Sequence, residues 1–432
     1  MKLPETKGRT LEELRRLGAA KLNAEMLEMH VFSISAFQCS AFPIVAKVRA
    51  TTMQTDSNPR TEQGSGQSRL MSLDALRGFT MFWIIGGDSI GHVLLETRPT
   101  GWMGLLSQQL DHVAWEGFRF YDLIFPMFVF IVGVSLVFSL TRIDARGGRP
   151  AAVRRIVRRT VLLYCLGIFY YGGWGQGWDQ VRLLGVLQRI ALCYGAAALL
   201  FLYFRTRGLA WWCAGILIGY WVLLAFVPVP GVGVGQFAEG QNLANWVDAN
   251  YLPLRKWDGD YDPEGLLSTL PAIGTCLLGV LAGLLMRDGR WTPREKLTWL
   301  VGGGIAAVLL GLLWGLEFPI IKKLWTSSYV LLAGGLSALF LALFYGVIDM
   351  AGWRGWAQPF VWIGLNPIAI YMLSNLIRFD DVSARVLGGP VQEFLDQNIA
   401  SGLGAVVISV GGMLIAVWIC WFLHRRKVYL RL

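Results

Sequence analysis

The sequence predicts an all-α protein, a polytopic transmembrane helical bundle of about ten membrane-spanning helices with both termini cytoplasmic. Three observations lead there. Of 432 residues, 54% are hydrophobic and only 16% charged, where soluble domains run at roughly 25% charged. Mean hydropathy is +0.48. The chain also holds 51 Gly and 19 Trp, types favoured in membrane helices and at membrane interfaces. A soluble chain of this length would divide into domains whose polar surface this composition cannot supply.

Residues 1–68 are polar and charged around a moderately apolar stretch interrupted by Glu28, His30 and Pro43. They are expected to be a disordered or dispensable extension, with Met53 or Met71 as alternative starts, and 69–432 to be the transmembrane domain. From residue 70 onward, apolar runs near the ~20 residues that cross a bilayer recur. They fall at 76–95, 121–140, 156–171, 183–204, 209–227, 267–286, 297–316, 329–348, 359–377 and 403–423. The stretch 101–118 is an eleventh candidate. The first run carries Asp88 and His92, four residues apart and so on one helix face. The second opens with Asp122, and Pro126 removes the N–H that would bond the Asp122 carbonyl. The fourth contains Arg189, about 9 Å below its outer end at 1.5 Å per residue. In the ninth, Asn366-Pro367 breaks the helix and frees the Ile363 carbonyl.

Basic residues set the orientation. The connection from the second to the third run holds Arg142, Arg146, Arg149, Arg154, Arg155, Arg158 and Arg159 and is placed in the cytoplasm. Alternation then puts Arg287, Arg290, Arg294 and Lys296 inside, together with Arg425, Arg426 and Lys427. The loops opposite lean acidic, with Arg255/Lys256 and Lys322/Lys323 as exceptions. Without an N-x-S/T sequon in those loops, a bacterial inner (plasma) membrane is favoured. The net charge of +10 reads as topology, with no nucleic-acid partner. The six cysteines lack metal or disulfide spacing and read as small buried hydrophobes, so no metal is expected.

An ionisable side chain inside a span costs roughly 2.5–3.5 kcal/mol on insertion scales and is a functional candidate. Asp88, Asp122 and Arg189 all fall in the outer leaflet or at its edge. The first outer loop adds Asp111-His112. Plainer readings exist for each: Asp122 as a helix N-terminal charge, Asp88 and Arg189 as an interhelical ion pair, His112 as a solvated loop residue, and the arginine run as a topology signal.

Several motifs now line up. Arg69-Leu70, Ser72-Leu73-Asp74-Ala75-Leu76-Arg77-Gly78, His112-Val113-Ala114-Trp115-Glu116-Gly117 and Asp122-Leu123-Ile124-Phe125-Pro126 come first. Phe128 to Gly133, Arg182 to Arg189, Tyr261 to Leu267, Lys323 to Tyr329 and Gly364 to Pro367 follow, collinear from about Arg69 to Arg426. Together these resemble the heparan-α-glucosaminide N-acetyltransferase family and its bacterial relatives. The resemblance implies a transmembrane acyltransferase that takes acetyl-CoA from the cytoplasm and acetylates a terminal amino sugar on the other side, as a homodimer among membrane lipids. It implies that His112 is the active-site histidine, on the periplasmic side. The family's asparagine in the first span corresponds to Asp88, and the one after the motif's Trp to Glu116.

Histidine titrates near neutrality and suits a general base on the acceptor amine, or a transient acyl carrier. Asp88 or Asp122 would orient it, and Arg189 or a backbone donor would stabilise the oxyanion. Arg154, Arg155 and Arg158 are the expected holders of the CoA phosphates, with Arg189 and Asn366 also on the cofactor side. Trp115, Glu116, Trp257 and Asp262 are expected at the sugar. An O-acyltransferase of cell-envelope polysaccharide keeps this chemistry with another acceptor, and a secondary transporter is the rival class.

Overall fold

The computed structural model describes residues 70–96, 101–175, 177–399 and 402–430. The expected N-terminal extension lies outside them. Among the described residues there is no strand, only two isolated bridges, and helices dominate as the hydropathy pattern requires.

Helix α1 (Met71–Glu96) leads through the short α2 (Gly101–Gln109) to α3 (Phe120–Tyr170), followed by α4 (Val186–Tyr203) and α5 (Thr206–Phe226). A loop holding α6 (Leu243–Tyr251) precedes α7 (Thr269–Arg287), α8 (Pro293–Trp314) and α9 (Ser327–Phe344). A π-turn, Tyr345–Met350, extends α9. Then come α10 (Gln358–Leu365), α11 (Pro367–Ile377), α12 (Phe379–Leu387), α13 (Pro390–Asn398) and α14 (Leu403–Arg425).

Each of the ten apolar runs is helical, but they are not ten separate rods. The second and third are two helical segments of the Phe120–Tyr170 stretch, here α3, that meet at a kink within the connection expected between them. Its only internal departure is Gly148, at φ 69° and ψ 178°. Pro150 lacks an amide for the helix and crowds the residue before it, so the break concentrates at Gly147-Gly148 while helical hydrogen bonding resumes beyond. The ninth run is also divided, with α10 and α11 bent by 75° at Asn366-Pro367. There the Ile363 carbonyl is not free as expected: the Asn366 amide takes it at 3.0 Å, because the last turn tightens. Seven described helices are long and apolar enough to cross a membrane, or eight with the bent pair. This is a multi-pass membrane protein. Cys193, Cys213, Cys276 and Cys420 are buried as expected, whereas Cys165 is exposed and Cys39 lies outside the described residues.

α3 is the axis of the bundle, packed against α4 and α7, while α1 packs on α10. Missing side chains permit both crossings. A Cβ on Gly133 would meet the Cys276 carbonyl oxygen at 2.0 Å, and one on Gly279 the Phe130 oxygen at the same distance. At the second crossing a Cβ on Gly364 would meet the Asp74 oxygen at 1.9 Å. Small residues let membrane helices approach where lipid removes the hydrophobic incentive to pack. Gly279→Val should therefore force α3 and α7 apart and destabilise the fold by about 1–3 kcal/mol. The check is a lower midpoint of thermal unfolding in detergent, against an unchanged midpoint for Gly302→Ala, where a Cβ meets nothing.

Candidate active site

Asp122 is the third residue of α3 and does two things at once. Its Oδ2 accepts the main-chain amides of Arg119 (3.1 Å) and Val113 (3.3 Å), capping the helix start and closing the loop before it. Its Oδ1 accepts from His112 Nδ1 at 2.8 Å. The Asp122 side chain is 1% exposed and that of His112 45%, so a buried carboxylate holds a ring that still faces outward. Asp122 thus caps the helix with one oxygen and holds the His112 ring with the other. The carbonyl that Pro126 leaves open is filled by the Tyr329 hydroxyl at 2.7 Å. Arg119 Nη1 donates to Asp111 Oδ2 (2.9 Å) and to the His112 carbonyl (3.1 Å), stiffening the loop.

Sequence reasoning missed the third member. Lys322 Nζ lies 2.8 Å from His112 Nδ1, 3.1 Å from Nε2 and 3.3 Å from Asp122 Oδ1. The signal was visible: Lys322 and Lys323 are exceptions to the charge alternation. Lys323 turns the other way, to Asp258 at 2.7 Å and the Tyr261 hydroxyl at 3.2 Å.

Behind this surface lies a buried ionic network. Arg182 is bidentate to Asp262 at 2.8 and 2.6 Å, reaches Glu264 at 2.6 Å, and stacks against the rings of Tyr171 and Trp257. Burial opposes the Arg182 charge, but Asp262 and Glu264 outweigh it and hold the group protonated. Burial raises the Glu264 pKa, against the opposing pull of Arg189 and Arg182. Asp248, in α6, is pushed up to about 6 by burial, although it accepts the Leu266 and Asp262 amides. Arg189 is fully buried, bonded to Ser268 Oγ and lying 4.8 Å over the Trp325 ring.

The expected sugar residues divide accordingly. Asp262, with a side chain 0% exposed, is an interior strut because both its oxygens are committed to Arg182. Trp257 covers that ion pair, and Trp115 donates Nε1–H to the Phe237 carbonyl at 2.9 Å, tying two loops together. Glu116 is exposed beside the site, its backbone paired with Ile321. Asp88 lies in α1, but its side chain is outside the described residues, as is that of His92.

Midway along α3, on both sides of the Gly147-Gly148 kink, is a cavity of about 610 Å³. Arg142, Arg146, Arg155 and Arg159 of α3 line it together with Asp74 and Arg77 of α1, and apolar side chains including Phe128, Val132 and Ile190 continue inward. Of the arginines expected to hold phosphates, Arg155 faces in but Arg154 and Arg158 are exposed and absent from the lining. Helical phase explains this: Arg155 and Arg159, four apart, share one face, while Arg154 and Arg158 share another. Arg159 lies 4.6 Å over Tyr194, and its buried Nε has no partner among the described residues. An anionic group entering the cavity would find the Arg159 Nε–H among the cationic side chains that line it. Asn366 does not line the cavity, because it clamps the chain's end. Its Nδ2 donates to the Val428 carbonyl (3.0 Å) and its Oδ1 accepts the Leu430 amide (2.8 Å). Among the described residues no cluster of His, Cys, Asp and Glu could hold a metal.

Comparison with known proteins identifies relatives of the chain. Residues 71–425 match the acyltransferase domain family Acyl_transf_3. The chain is also similar to heparan-alpha-glucosaminide N-acetyltransferase from Homo sapiens, 28% identical across 88% of this chain and 63% of that protein. The Mus musculus protein of the same name is 28% identical across 75% of this chain and 56% of its own length. The chain thus spans about three fifths of these relatives. It belongs to this family of membrane acyltransferases.

The Asp248 shift carries a stability consequence. Its folded-state pKa is above the unfolded value, so the protonated form favours folding. That contribution is full below the ordinary Asp pKa of 3.8 and is lost as pH rises through about 6. Thermal midpoints of Asp248→Asn should therefore fall less than those of the wild type between pH 4 and pH 7. Parallel curves would disprove the assignment.

Proposed function

We propose that the protein is a transmembrane N-acetyltransferase that moves the acetyl group of cytoplasmic acetyl-CoA to the amine of a glucosamine-type sugar on the opposite side of a bacterial inner membrane. The observation that supports this reading is that α3 carries both candidate sites. Asp122, with His112, stands at its N-terminus, and Arg142 stands 20 residues on, about 30 Å at 1.5 Å per residue. That is about the thickness of the hydrocarbon core. Positive-inside alternation assigns the arginine end to the cytoplasm and His112 to the periplasm.

The arginine cavity suits the CoA phosphates, with Arg155 and Arg159 the strongest candidates, and its apolar interior suits the pantetheine arm. Its deepest α3 residue, Phe128, is six residues from Asp122, about 9 Å along the helix. Trp83 and Tyr121 stand across the remaining path: the Tyr121 hydroxyl bonds the Trp83 carbonyl at 3.2 Å, and its ring lies 4.7 Å from that of His112.

An ionised carboxylate only accepts hydrogen bonds, so the bond to Asp122 assigns the proton to Nδ1 and leaves the Nε2 lone pair for the acceptor. His112 then serves as general base toward the amine, with Asp122 orienting the ring and stabilising the imidazolium. Glu116, exposed beside it, suits a sugar hydroxyl or ammonium. A homodimer belongs to this proposal through the resemblance.

Thiol release from acetyl-CoA, measured with purified protein and glucosamine, tests the reading. His112→Ala should lower turnover by about 10²–10⁴-fold. Arg155→Ala and Arg159→Ala should raise KM for acetyl-CoA by about tenfold or more, with Arg154→Ala and Arg158→Ala near the wild type. Release with N-acetylglucosamine but not glucosamine would instead favour an O-acyltransferase. No release with either, in folded protein, would sink acetyl transfer.

A further inference from the structure

Asp122 is already satisfied without Lys322, since Oδ1 holds His112 and Oδ2 holds two main-chain amides. The lysine nevertheless sits against the imidazole, 2.8 Å from Nδ1 and 3.1 Å from Nε2. An ammonium within 3.1 Å of both ring nitrogens cannot lie along the diverging directions of both, so it rests against the ring. Its side chain is 22% exposed, open enough to meet a substrate and sheltered enough to be held.

The turn that carries it is built for placement. The Gly117 amide donates to the Ile320 carbonyl at 2.9 Å, stitching the turn to the His112 loop. Within the turn the Ile321 amide donates to Thr326 Oγ1 at 3.1 Å, and the Trp325 amide to the Lys322 carbonyl at 2.9 Å. Trp325 takes the left-handed conformation, φ 54°, an outlier for a bulky residue that only its surroundings can hold. Those surroundings are visible: its ring is buried, its Nε1 bonds Thr275 at 3.0 Å and Arg189 lies across its face. Strain, stitching and burial all fix where Lys322 begins.

We propose that Lys322 is a further catalytic residue, the electrophile of acyl transfer, whose ammonium beside His112 Nε2 stabilises the oxyanion of the tetrahedral intermediate. This rests on the acyl-transfer reading above. The acceptor nitrogen forms a bond to the thioester carbonyl carbon as its proton passes to Nε2. The carbonyl π pair moves to oxygen, where the Lys322 ammonium donates a hydrogen bond. The pair then returns, the C–S bond breaks, and the departing thiolate takes the proton from the imidazolium. Nothing else need be supplied. Arg189 was the side-chain alternative for this role, but it is enclosed between Ser268 and Trp325.

The test compares Lys322→Met, Lys322→Gln and Lys322→Arg with His112→Ala. The readouts are kcat and KM from thiol release, and CoA affinity from calorimetry. Lys322→Met should lower kcat by about 10²–10³-fold with KM and CoA affinity near the wild type, and Lys322→Arg should recover much of the loss. Fluoroacetyl-CoA, whose carbonyl is more electrophilic, should show a smaller defect in the Met variant. If that variant fails to fold, Lys322→Gln supplies the same comparison without the charge. Turnover within about threefold of the wild type in the uncharged variants, or a rise in KM alone, overturns the proposal while His112→Ala stays inactive. Full turnover in His112→Ala would instead overturn the acyl-transfer reading itself.

Discussion

The structure depends on how Asp122 divides its carboxylate. A helix N-terminus presents unpaired amides, and a buried carboxylate at the third position satisfies them. Here one oxygen does that for α3 while the other fixes His112. The same residue's carbonyl, opened by Pro126, anchors Tyr329 at the start of α9. A single residue therefore couples the axial helix, the histidine loop and the turn bearing Lys322. Separating the roles by mutation is correspondingly hard, which is why the proposed tests act on His112 and Lys322.

A second constraint holds the connecting loops over the bundle. Arg182, Asp262 and Glu264 form a buried ion-pair network whose remaining surface is covered by Tyr171 and Trp257. Ionic groups enclosed in this way are costly to leave unpaired, so they specify which loops meet rather than adding much net stability. Lys323 extends the network toward Asp258 and Tyr261, next to the lysine that faces His112.

Around the kink of α3 the chemistry changes from orientation to charge. Five arginines line a cavity whose interior is apolar, and the Arg159 Nε lacks a partner among the described residues. Lining and depth suit an anionic head and a thin apolar arm better than a compact solute. That favours a CoA thioester over transport, consistent with membership of an acyltransferase family.

The sequence by itself determined the helical membrane architecture, because a shortage of charge and runs of apolar residues act within each segment. It also determined that the start of α3 would be chemically special: Asp122 and Pro126 stand four apart, and no folding is needed to know which carbonyl is left open. His112 came from its motif. Only the tertiary structure decided the rest. Lys322 reaches a histidine 210 positions away, a distance no local pattern spans. Asp262 and Asn366 looked available as exposed or helix-breaking polar residues, yet each is consumed by a distant partner. Arg155 was separated from Arg154 and Arg158 by helical phase, which becomes meaningful only when neighbouring helices define an inside. Local chemistry sets what each residue can do, and packing sets which of those capacities remain unspent.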